Sequence, residues 1–146
     1  MTDDFETRYA RHRELCVRAN ELNKAILFDA LTPAGITAIH VEFDGCGDSG
    51  QIDDVTAWAG GKTVDLPPGT ITIHSAEWGQ QDLTSNTRPI RDAVEDLCYG
   101  RLEQTHAGWE NNDGAYGEFQ IDVVKRTIEL EFNGRFTDTW TDNHTF

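Results

Sequence analysis

Between residues 117 and 132 the chain reads GEFQIDVV–KR–TIELEF, two runs in which apolar residues take every second position. Phe119, Ile121 and Val123 share one side of the first run, and Ile128, Leu130 and Phe132 one side of the second; Glu129 and Glu131 take the opposite side. Successive side chains of a strand point to opposite faces, so the pattern predicts an antiparallel hairpin over 118–132 with one face in the core and one in water. Such a hairpin commits the chain to a sheet that other elements cover on one side only.

Two segments can do the covering. Residues 4–30 carry Phe5, Tyr9, Cys16, Ala19, Leu22, Ile26 and Leu27 at helical spacing, with Asp3 and Glu6 placed as a cap and Pro33–Gly35 as a stop. Residues 89–105 repeat the spacing through Ile90, Ala93, Val94, Leu97 and Leu102, with Pro89 suited to a first turn. Strands are expected at about 36–43, 51–58 and 70–78, and 79–88 reads as a polar loop. In the first of these strands Ile39, Val41 and Phe43 alternate with His40 and Glu42. Together these predict one α+β domain: an antiparallel sheet of about five strands with two helices covering one face. A chain of 146 residues is long enough for one such core.

Charge narrows the function classes. The formal net charge is −14, and it is not spread evenly. Residues 1–24 hold five acids and five bases, whereas 25–87 hold nine acids against Lys62 alone, and 102–124 add five acids and no base. A field of that sign repels nucleic acid and anionic membrane and attracts cations or basic protein surfaces. No apolar run approaches the roughly 20 residues of a bilayer span, and the acidic start is unlike a signal peptide, so a cytoplasmic protein is expected. The three cysteines (Cys16, Cys46, Cys98) are scattered, which fits a reducing compartment and argues against a disulfide framework or a zinc site.

The acid-rich stretches contain a repeated phrase. DGCGDSGQIDDV (44–55) and DGAYGEFQIDVV (113–124) agree at six of twelve positions, each joining a glycine-rich acidic loop to a strand-like run. Asp44 and Asp48 sit where positions 1 and 5 of a calcium-binding EF-hand loop would fall. The required glycine, hydrophobe and terminal glutamate are replaced by Ser49, Gln51 and Val55, so the loop is not an EF-hand. Should the two loops be neighbours, Asp44, Asp48, His106, Asp113 and Glu118 are the candidate ligands of calcium or another divalent cation, with or without metal-dependent hydrolysis. Ser49 in G-D-S-G has no identifiable histidine partner, so no catalytic residue is assigned and a non-enzymatic role is favoured. Asp44, Asp48, Asp53, Asp54, Trp109, Glu110, Asp113 and Glu118 are the candidate interaction surface, an aromatic anchor among carboxylates that would steer a basic partner.

FDGCGDSGQIDDV, SAEWG (75–79) and the long run LEQTHAGWENNDGAYGEFQIDVVKRTIELEFNGRF (102–136) resemble a family of small bacterial proteins carried as a domain of unknown function. Its members often occur among plasmid and other mobile-element genes. The resemblance covers about residues 36–146 and transfers no residue role. It implies a part in mobile-element biology, such as blocking a host defence or nucleic-acid-processing complex. The expectation that follows is an acidic interaction protein, without cofactor, that occupies the basic groove of a nucleic-acid-binding complex.

Overall fold

The computed structural model describes residues 4–46, 49–111, 113–136, 139 and 141–145. Helix α1 (Phe5–Leu31) leads into β1 (Ala38–Cys46), β2 (Ser49–Ala59), β3 (Lys62–Val64), β4 (Thr70–Ser75) and β5 (Thr84–Pro89), then α2 (Ile90–His106), β6 (Ala115–Asp122) and β7 (Thr127–Gly134). The expected α+β class holds. β3-β2-β1-β6-β7 form an antiparallel five-stranded sheet, and β4 and β5 pair separately.

Alternation decides which face is covered. Ile39, Val41, Phe43, Ala57, Phe119 and Ile121 are buried, and they join Leu27, Phe28 and Leu31 of α1 and Val94, Leu97, Cys98 and Leu102 of α2 in one core. Among the described residues no helix covers the opposite face of the sheet, which carries His40, Glu42, Glu118, Gln120, Glu129 and Glu131. The central strand is β1, flanked on its two sides by the strands that end the two copies of the repeated phrase.

Three expectations are corrected. The strand predicted at 70–78 ends at Ser75 and leaves the main sheet, pairing with β5, which forms in the stretch read as loop. β5 is TSNTRP, with no apolar alternation to announce it. The helix cap is Asp4, whose Oδ1 accepts from the Thr7 N–H at 2.7 Å; Asp3 lies outside the described residues. Phe5 and Tyr9 are not core: they are 67% and 49% exposed and gather with Trp78 at the surface.

The two corners of the repeat meet around Trp109. Gly45 and Gly50 are partners in the β1–β2 register, and the indole lies on both: a Cβ on either would sit 2.6 or 2.5 Å from a ring carbon. Trp109 also meets Phe43 edge to face at 5.4 Å. Gly114, at φ +77°, passes so close to the Gly45 carbonyl that an added Cβ would lie 1.7 Å from its oxygen. Gly114→Ala combines left-handed backbone strain with a backbone overlap and is expected to cost at least about 3 kcal/mol. Gly60→Ala, with a similar φ of +61° but open space, should cost about 1 kcal/mol. Urea denaturation of the two variants checks this; equal losses would show that the corner can yield.

Candidate functional site

The uncovered face of the sheet collects the carboxylates. Strand register places Asp54, Glu42, Glu118 and Glu131 directly opposite one another, one on each of β2, β1, β6 and β7. Neighbouring strands lie about 4.8 Å apart, so the row runs roughly 14 Å. A register shift between Glu42 and Phe43 leaves Asp53 as an extra residue on β2, a bulge that sets it beside Asp54. Glu129 stands one row further along β7, in line with Gln120, His40 and Thr56. A concavity of about 330 Å³ opens here between Glu42, Asp44, Asp53, Tyr116, Glu118 and Glu131.

Like charges directly opposite on paired strands destabilise a sheet, by about 0.2–1 kcal/mol per pair. Partial relief comes from His40, whose Nε2 lies 2.6 Å from Glu118 Oε2. Gln120 Nε2 donates to the other oxygen at 3.4 Å. These bonds, the one with His40 foremost, hold the Glu118 carboxyl below its ordinary range. Asp44 is relieved differently: the Arg135 guanidinium grips both its oxygens at 2.9 and 3.0 Å, lies over the Tyr116 ring, and donates to the carbonyls of Gly45 and Ala115. Arg135 therefore clamps the two corners together and neutralises one carboxylate of the face.

The sequence-predicted residues divide. Asp44, Asp53, Asp54 and Glu118 lie on the acidic face, joined by Glu42, Glu129 and Glu131, which composition alone did not single out. Trp109 is 7% exposed and is corrected from surface anchor to buried plug. Glu110 follows it into the corner, where its Oε2 is buried, and Asp113 is exposed on the loop. His106 stacks on Phe132 at 3.7 Å. Asp48 lies outside the described residues. The two loops are adjacent, since Gly45 pairs with Ala115. Among the described residues, Asp44, Asp113, Glu118 and His106 nonetheless form no group whose ligand atoms close on one point. Among the described residues, the group whose ligand atoms lie within 4.8 Å of one another is His40, Glu42 and Glu118. The signal for it was the outward pair His40 and Glu42; the third member depended on strand order.

A second concavity, a cleft of about 830 Å³, lies between α1, α2 and the β4–β5 pair. His12, Cys16, Asn20, His74, Arg88 and Glu103 are among its lining residues. Asn23 closes one end like a strand, donating to the His74 carbonyl at 2.8 Å and accepting from its N–H at 2.7 Å. Cys16 Sγ lies 3.5 Å from His12 Nε2, yet burial pushes the thiol up, away from the thiolate a nucleophile needs. Arg88 is engaged by Asp96 at 2.9 Å. Glu103, another lining residue, has its carboxyl pushed up by burial and by Glu110, and His12 Nδ1 is buried without a hydrogen-bond partner.

Residues 19–146 match a family of unknown function, DUF6878. The chain belongs to that family. No curated protein and no solved structure matches the chain. Among the described residues no helix is long and apolar enough to cross a membrane.

The Glu118 bond has a pH signature. A carboxyl whose folded pKa is depressed adds stability above its unfolded value, near 4.5, and loses it as pH falls through the folded value. The stability of the native chain should therefore decline more steeply below about pH 4.5 than that of Glu118→Gln. Denaturant midpoints measured across that range read the difference. Parallel profiles would show that the His40 contact contributes nothing in solution.

Proposed function

We propose that the protein is a non-enzymatic interaction module whose uncovered sheet face docks onto a basic protein surface. The partner of matching chemistry is the nucleic-acid-binding groove of a host complex, occupied in competition with nucleic acid by an inhibitor carried on mobile elements. The observation that carries this reading is the row Asp54–Glu42–Glu118–Glu131 on the sheet face that no described helix covers. Placing four carboxylates abreast sacrifices stability that mixed charges would have kept. That sacrifice is intelligible when a cationic surface completes the row. The spacing is of the same order as the charges of a duplex, about 3.4 Å apart per strand along the axis. Fixed charges on strands also steer encounter without ordering long side chains.

The test is charge reversal against a matched control. Glu42→Lys, Glu118→Lys and Glu131→Lys together should weaken binding of an arginine- and lysine-rich peptide at least about tenfold. Reversing Asp65, Glu77 and Asp82, which changes net charge equally, should matter much less. Native affinity should fall steeply with salt, since exposed charges are screened within about 10 Å at 0.1 M. Equal losses in the two triple variants would reduce the effect to net charge and sink the docking face.

A second reading rests on the group His40, Glu42 and Glu118. One imidazole and two carboxylates suit Zn²⁺ or Mn²⁺ better than an all-oxygen calcium site. A saturable rise in melting temperature with one of these ions is expected under this reading. It should be lost in His40→Gln and in Glu118→Gln and kept in Asp113→Ala. A rise that survives His40→Gln removes the reading.

A further inference from the structure

The two edges of the main sheet are built differently. β3, at one edge, has three residues and begins with Lys62, a short and charged edge that discourages further pairing. β7, at the other edge, runs eight residues, TIELEFNG, with neither proline nor lysine and with an unbroken register to β6. The Arg135 N–H, just past the strand, donates to the Gly114 carbonyl on the β6 side at 2.9 Å. Counting back with period two, the N–H and C=O groups of Ile128, Leu130, Phe132 and Gly134 point outward. Among the described residues no backbone group bonds to them.

The side chains of this edge are also incomplete. Ile128, Leu130 and Phe132 face the core but are only partly buried. Val124 and Phe136, just beyond the two ends of β7, are 75% and 85% exposed. On the opposite face Glu129 and Glu131 continue the acidic surface to the rim. An added strand would therefore meet backbone groups that no described residue bonds, apolar side chains on one face and carboxylates on the other.

We propose that the edge of β7 receives an extended segment of the basic partner as a sixth strand, with Lys or Arg alternating with apolar residues. The inference rests on the docking reading above and names the element the partner would contribute. Main-chain hydrogen bonds would supply affinity, and alternate side chains would supply specificity. The basic residues would fall on the carboxylate face and the apolar ones beside Ile128, Leu130 and Phe132. A second copy of β7 is the poorer occupant, because it would bring its own Glu129 and Glu131 to the same face.

The experiment uses the full chain and dye-labelled ten-residue peptides followed by fluorescence anisotropy. One peptide alternates lysine and valine, a second has the same composition in two blocks, and two more are the alternating peptide N-methylated on either alternate set of amides. The alternating peptide should bind at least about tenfold tighter than the block peptide. Methylating one set should abolish that advantage, and methylating the other should leave it. Leu130→Pro, which removes an outward N–H and spares the β6 ladder, should lose the advantage while circular dichroism shows the fold retained. Equal binding of all four peptides, still lost in the Glu42, Glu118 and Glu131 reversals, would overturn strand addition and leave the docking face. Failure of every peptide to bind would overturn both. A dimer of the free chain that Leu130→Pro dissociates would assign the edge to a second copy and overturn the proposal.

Discussion

The packing of Trp109 on two glycines is the contact from which the rest of the structure follows. The indole joins the loop after α2 to the β1–β2 corner, and only residues without a Cβ allow that approach. Once the loop is seated, Gly114 delivers β6 alongside β1, and the register Glu42 to Glu118 is set. The apolar contact thus fixes a polar consequence. Removing a buried tryptophan ring typically costs about 3–5 kcal/mol, far more than the opposed carboxylates cost, so the corner can hold the acidic row together. Arg135 reinforces the same junction from the wet side, reaching Asp44 and two backbone carbonyls across the seam.

Much of this was legible in the residues. Period-two alternation identified the β6–β7 hairpin and the inward side of β1, and period 3.6 identified both helices, because burial of one face leaves a regular imprint. The repeated DG phrase marked two corners that do lie together. What was not legible follows from long-range geometry. β5 is polar on both faces, so it leaves no periodic trace. Trp109 stands in a loop of Asn, Asp and Gly, where local chemistry reads as exposed turn; its burial depends on glycines some sixty positions earlier. Phe5 and Tyr9 have helical spacing, yet α1 extends past the sheet there, and the spacing cannot tell core from overhang. The acidic row needed the strand order β2-β1-β6-β7, which places residues from two distant hairpins abreast.

The distribution of charge separates general solubility from a specific surface. Acids serving solubility alone can be scattered, where each gains hydration and avoids its neighbours. Here they are aligned on the central sheet, at spacings fixed by the backbone, and the relieving contacts include His40 and Gln120 for Glu118, Thr56 for Asp54, Gln51 for Asp53 and Arg135 for Asp44. Two of these partners carry charge or can take it up, His40 and Arg135, so part of the negative charge on the face is left unopposed by a side-chain cation.

The same comparison bears on cation size. A bare divalent ion gathers three or four ligand atoms to one point, and among the described residues His40, Glu42 and Glu118 are the group that approaches that condition. Asp54 and Glu131 flank them, one strand away on each side in the register, and the four carboxylates together offer a row to guanidinium or ammonium groups. An ion at the centre would neutralise the middle of the row and leave its ends. An extended basic segment would engage middle and ends together. Under the docking reading proposed above, the length of the row suits an extended basic segment, and the edge of β7 is the backbone it would align with.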